Sequence, residues 1–245
     1  LTDGNSVFLT AVEALHRRLA IPVAGMQEGV VVAIGYPMDN PKWLWSSRRD
    51  KDLLPPAPDS KPNEGGADEF ADFIQQRIKP FVYQRLMETR GAVPGLEALY
   101  GHSYGGIFSL HVLFTRPQMF DCLMASSPSI EWHDKFILQE EQSFRSGDEG
   151  DGRPQPSLML FVGTLEQAPR QRRRESDEDF CKRRKFLEDA RIVDNVKEMH
   201  ARLEESKKLR RLSLQMYEEG HVGIIPCAVN HSLMTFLEDW PFEEK

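Results

Sequence analysis

Six consecutive residues, Gly101-His102-Ser103-Tyr104-Gly105-Gly106, place a serine between glycines in the pattern Gly-x-Ser-x-Gly. A serine hydroxyl is a weak nucleophile at neutral pH and attacks a carbonyl carbon only when a base removes its proton. The pattern alone is common by chance, and its context gives it weight. It follows a β-compatible run, residues 96–100 (LEALY), and opens a helical run over 104–114. That is the strand–turn–helix setting of a nucleophile elbow. Side chains at positions 101 and 105 would clash with the neighbouring strand and helix. Ser103 would then stand at the head of a helix, whose dipole favours a developing negative charge.

Seven histidines compete for the role of base. In elbow folds the partners follow the serine in the order acid, then histidine, with the histidine after the last strand. His221, inside the glycine-flanked EEGHVG segment 218–223, meets that requirement. His102 lies within the elbow itself, His111, His200 and His231 fall on expected helices, and His16 precedes the motif. The acid should come from the turn after the run 157–162 (SLMLFV), where Glu166 is the first carboxylate. Asp194 is the second candidate, Asp177 and Asp179 stay open, and so does a Ser–His dyad with no strong acid. Any acid here would fix the imidazole tautomer and stabilise the imidazolium. The oxyanion formed by attack needs backbone donors: the N–H of Tyr104, and a second from the opening turn at Gly4 or Asn5. Together these groups would carry out acyl transfer through a covalent serine ester, with no cofactor and no catalytic metal.

The elements that must position these groups alternate β-rich and helical runs, which predicts an α/β fold with a mostly parallel sheet. Strands are expected over 29–35 (GVVVAIG), 96–100, 121–126, 157–162 and 211–217, the first covered on both faces. Helices are expected over 8–20, 67–87, 104–114, 190–209 and 228–237, with Pro80 kinking or splitting the second. The breaker-rich stretch 43–66 and the polar stretch 142–156 read as loops. Residues 1–5 (LTDGN) look like the end of a strand, so a sheet of this kind is expected to lack its first strands here. The whole of 1–245 reads as one α/β-hydrolase domain.

Composition narrows the field. A net charge of −7 argues against a binder of nucleic-acid backbones, and the basic cluster 170–174 is followed at once by acidic residues. No apolar run approaches the roughly 20 residues that span a bilayer, so no membrane partner is expected. Three scattered cysteines, Cys122, Cys181 and Cys227, form no CxxC pair and fit a reduced, cytoplasmic setting.

The motifs LTDGN (1–5), AIGYP (33–37), RRDKD (48–52), GGA (65–67), the GHSYGG elbow, SSPS (126–129) and VGTLE (162–166) stand in one order along the chain. In that set the chain resembles the Putative esterase family (esterase D / enterochelin esterase-like) of α/β-hydrolases, which includes bacterial enterobactin-type and fungal fusarinine-type siderophore esterases. The resemblance implies hydrolysis of ester bonds in a small-molecule substrate, a siderophore, releasing iron that arrives with the substrate. It supports Ser103 and His221, and Glu166 more loosely. It also makes Arg49, with Arg48, a candidate contact for substrate oxygens. On chemistry alone the two arginines are equally a surface pair bridging Asp50 and Asp52. Trp132 and His133 are candidates to line the pocket, with ordinary packing as the other reading of Trp132. An acyltransferase of the same superfamily, or a binding protein that keeps the fold, are the competing readings.

Overall fold

The structure is a computed structural model that describes residues 1–20, 28–40, 43–147 and 154–238. Its centre is a parallel sheet formed by β1 (Ala98–His102), β2 (Cys122–Ser126), β3 (Ser157–Gly163) and β4 (Arg211–Tyr217), hydrogen-bonded in chain order. Parallel neighbours need crossovers, and helices supply them. In chain order the helices are α1 (Gly4–Leu19), α2 (Arg48–Leu53), α3 (Ala67–Phe73), α4 (Lys79–Arg90), α5 (Tyr104–Thr115), α6 (Trp132–Lys135), α7 (Ile137–Ser146), α8 (Asp177–Ala190), α9 (Ile192–Ser206) and α10 (Ile224–Glu238).

Side chains of the strands alternate between two buried layers, as a pleat with period two requires. Leu99, Leu123, Ala125, Leu158, Leu160 and Val162 join one core with α5 and α9. Tyr100, Cys122, Met124, Met159 and Phe161 join the other with α1 and α10. Every residue of β2 and β3 is buried, which explains why the runs 122–125 and 158–162 are apolar rather than alternating. Each buried Leu, Met, Phe or Val among them contributes about 1.5–3 kcal/mol.

Residues 29–35 depart from expectation. They form no regular strand and are half-buried, with Val30 exposed, instead of covered on both faces. They still make sheet-like bonds: Ile34 N–H donates to Leu1 O at 2.9 Å and Gly4 N–H to Ile34 O at 2.8 Å. Thr2 N–H in turn donates to Tyr100 O at 3.0 Å. The opening residues thus lie between β1 and residue 34, directly beside the elbow.

Pro80 does not break its helix. The run from Ala67 to Arg90 stays helical through a wider π turn, Ile74–Ile78, in which Lys79 N–H reaches back to Ile74 O. Placing Pro80 in the first turn after that bulge puts its missing N–H where the ladder is already shifted. The breaker-rich stretch 43–66 contains α2, and the expected loop 142–156 is helical to Ser146. Residues 148–153 of that loop lie outside the described residues. The charged stretch after Glu166 contains α8, none of whose residues is buried. Among the described residues, no helix is long and apolar enough to cross a membrane.

Candidate active site

Ser103 sits between β1 and α5 with φ 59° and ψ −114°, a region that L-residues rarely occupy. Strain of this kind costs about 1–3 kcal/mol and persists only where the surroundings enforce it. Ser103 N–H donates to Ser126 O at 2.9 Å, and Ile107 N–H closes the first helical turn on Ser103 O at 3.0 Å. A Cβ at Gly101 would fall inside the contact distance of the Gly105 carbonyl, and one at Gly105 would collide with Thr2 Oγ1. The two glycines therefore let strand, helix and opening residues pack within backbone contact. Tyr104, as the first residue of α5, has no acceptor one turn back within its helix, so its N–H is unclaimed by the ladder.

Glu166 ends a short turn after β3 and is 1% exposed. Its Oε1 accepts from Gly163 N–H at 2.7 Å and from Ser127 Oγ at 2.5 Å. Its Oε2 stands 2.5 Å from Nδ1 of His221. His221 lies in the turn between β4 and α10, tied down by Leu165 N–H to Glu219 O at 3.1 Å and Ile224 N–H to Gly220 O at 3.1 Å. The carboxylate is thus fixed at one oxygen and offers the other to the imidazole, which orients the ring and selects its tautomer.

The imidazole of His221 packs against that of His102, ring centres 4.6 Å apart. Because His102 precedes Ser103 in the elbow, this contact places His221 beside the nucleophile turn. Ser103 Oγ hydrogen-bonds to Ser129 Oγ at 3.3 Å. His102 is buried and its Nδ1 meets Ser126 Oγ at 3.2 Å. Burial, then the neighbouring His221 and Arg49, push its pKa well below the ordinary histidine value, so it stays neutral. Burial also raises the carboxyl pKa of Glu131, in the segment that follows Ser129 and within electrostatic reach of His221.

The other expected residues lie as follows. Gly4 N–H is already engaged by Ile34 O, which removes it as a free oxyanion donor. The Asn5 side chain clasps the backbone of Tyr36 through Oδ1 at 2.7 Å and Nδ2 at 3.0 Å. Arg48 is exposed and pairs with Asp52 at 3.2 Å, along the surface of α2. Arg49 points inward and holds Asp3 through two bonds of 2.9 Å. Trp132 packs against the core and beside His133, ring centres 5.1 Å apart. Asp194 bonds to Gln167 at 2.7 Å and to Arg191 at 3.4 Å, rather than to His221. Asp179 accepts from Ser176 Oγ at 2.7 Å at the start of α8, and Asp177 accepts from Gln171 Nε2 at 2.8 Å. Sequence reasoning gave no role to Ser127, Ser129 or Asp3; the serine-rich SSPS run after β2 was the available signal for the first two.

A parallel sheet with helices on both faces and a serine at a strained strand-to-helix turn define an α/β-hydrolase. The family model described as "Putative esterase" matches residues 21–202. The chain belongs to that family. It is 42% identical to the siderophore triacetylfusarinine C esterase of Aspergillus fumigatus, over all of this chain and 82% of the relative. It is 40% identical to the siderophore enterobactin esterase of Emericella nidulans, over 96% of this chain and 80% of the relative. Among solved structures, the siderophore hydrolase EstB from Aspergillus nidulans superposes with a TM-score of 0.90 at 41% identity, over 99% of this chain and 83% of that one.

Proposed function

We propose that this protein is a serine esterase, acting as one α/β-hydrolase domain, that hydrolyses the ester bonds of a siderophore. The observation that carries the reading is the Glu166–His221 hydrogen bond of 2.5 Å beside the strained Ser103 turn. Its substrate class rests on the relatives, whose names specify siderophore esters.

His221 takes the proton of Ser103 as Oγ attacks the ester carbonyl carbon. The tetrahedral oxyanion is held by Tyr104 N–H, aided by the positive end of α5. The carbonyl re-forms, the C–O bond to the alcohol breaks, and the alcohol leaves with the proton from His221. Water, deprotonated by His221, attacks the acyl-serine and releases the hydroxy acid and Ser103. Glu166 stabilises the imidazolium in both half-reactions without taking its proton. Cys181 and Cys227 are free thiols, which fits a cytoplasmic enzyme acting on an imported ferric siderophore.

The test is hydrolysis of p-nitrophenyl acetate, a ferric fusarinine-type ester and a catecholate trilactone by wild type and Ser103→Ala, followed by mass spectrometry with and without an acceptor alcohol. Cleavage of a siderophore into hydroxy-acid units by wild type alone supports the reading. Transfer to the alcohol in preference to water makes the protein an acyltransferase, and binding without turnover makes it a non-catalytic homologue.

A further inference from the structure

Arg49 was expected either at the substrate or in a surface pair with Arg48, yet its guanidinium is turned inward and engaged. Its two bonds of 2.9 Å to Asp3 are bidentate, with Nε on one carboxylate oxygen and Nη2 on the other. Both side chains are largely buried, 12% exposed for Arg49 and 4% for Asp3. The same Nη2 lies 3.5 Å from the carbonyl oxygen of His102, and the guanidinium carbon stands 5.0 Å from the ring centre of Tyr104. Arg49 therefore touches both residues that flank the nucleophile in the chain. Asp3 is itself held from two sides. Its backbone is left-handed, φ 51° and ψ 45°, at the N-cap of α1, and its carbonyl accepts from Ser6 N–H at 2.8 Å. Its Oδ2 would be 3.4 Å from a Cβ on Gly105.

We infer that the Asp3–Arg49 pair is a clamp on the nucleophile elbow, a positioning device that holds Ser103 Oγ and Tyr104 N–H in the geometry needed for attack and oxyanion binding. The physical reason is rigidity. A planar fork fixed to a buried carboxylate cannot rotate, so the carbonyl and ring resting on it are fixed as well. A lysine would supply the charge without the second bond or the stacking face. An unclamped elbow, strained at Ser103, would relax its φ and ψ and turn the Tyr104 N–H away from the oxyanion. Displacement of about 1 Å at a reacting group costs roughly 100-fold in rate. The inference rests on Ser103 being the nucleophile.

The experiment uses the full chain and the variants Arg49→Lys, Arg49→Gln, Asp3→Asn and the double variant Asp3→Asn/Arg49→Gln. The double variant leaves no lone buried charge, so it remains informative where a single variant fails to fold. A fluorophosphonate titration counts the reactive sites, and kcat per titrated site and KM are measured with p-nitrophenyl acetate and with a ferric fusarinine-type ester. The clamp predicts that kcat per site falls about 10- to 100-fold on both substrates, with KM within about twofold and no rescue by Arg49→Lys. The double variant should be no slower than the worse single one, since the two residues act as a unit. An unchanged kcat per site would reduce the pair to a structural tie and overturn the inference. So would a KM that rises for the siderophore alone, which would make Arg49 a substrate contact. Ser103→Ala, run in parallel, isolates the nucleophile: undiminished turnover there would overturn that assignment and the clamp with it.

Discussion

Glu166 hydrogen-bonds to Ser127 and Gly163 through Oε1 and to His221 through Oε2, so each oxygen has a separate task. Glu166→Gln preserves the shape but cannot accept at both ends: either the amide NH2 faces the imidazole or it faces two donors. We expect kcat on p-nitrophenyl acetate to fall about 10²- to 10⁴-fold, whereas Asp194→Asn, on a residue bonded to Gln167, changes it by no more than about twofold. His102 gives a pH signature. Its folded pKa lies below the unfolded value of about 6.5, so the folded state binds fewer protons than the unfolded one near and below that pH. The sign follows: this contribution to stability is present above pH 6.5 and is lost as the pH falls below it. Urea titrations between pH 8 and 5 should show the loss, and His102→Asn should flatten it. At this scale the sequence exposed the groups that motif order dictates. Ser103, Glu166 and His221 each follow a strand at its C-terminal end, where a parallel sheet gathers its loops. The partners of Ser127 and Asp3 were not legible, because they are Glu166, 39 residues away, and Arg49, 46 residues away.

At the scale of elements, four of the five expected strands were legible, β4 at its expected bounds although none of its residues is fully buried. The runs that became β2 and β3 have unbroken apolar centres, residues 122–125 and 158–162, and their expected bounds differ from those observed by one residue at most. Leu160 is fully buried in the middle of β3, so Leu160→Ala should cost about 2–5 kcal/mol, read from the urea midpoint at constant m-value. Residues 29–35 are richer in β-branched residues than β2 or β3 but bond through Ile34 to the opening residues while remaining half-buried, so composition overstated their burial. The short α2 escaped notice for the opposite reason. Its sequence, RRDKDL, carries one apolar residue and is too short to be stable alone. Burial of Leu53 and the Arg49–Asp3 pair hold it, and both are tertiary. The π turn before Pro80 was not legible either: a proline predicts a disturbance in the ladder, not its form.

Across the whole molecule, two helical layers bury the sheet while the crossover between β3 and β4 carries a helix that contributes little to the core. None of the residues of α8 is buried, and Phe186 stands 71% exposed. Phe186→Ser should therefore shift the unfolding free energy by no more than about 0.5 kcal/mol, measured by denaturant titration. The segment before α8 is tied to the histidine loop by the Arg170–Glu218 ion pair, an exposed contact worth little by itself. The alternation of strands and helices made the α/β class legible from end to end, whereas the position of α8 outside the core has no counterpart in residue spacing. In the proposed mechanism these parts converge on one chemical event, the formation of an ester between Ser103 and the substrate's acyl group. The most direct measurement is rapid acid quench of the enzyme mixed with a ferric fusarinine-type ester, followed by peptide mass spectrometry. The account predicts an added acyl mass on the peptide containing Ser103, formed within one turnover and absent in Ser103→Ala. Continued hydrolysis by Ser103→Ala, or the acyl mass on a different residue, would contradict it.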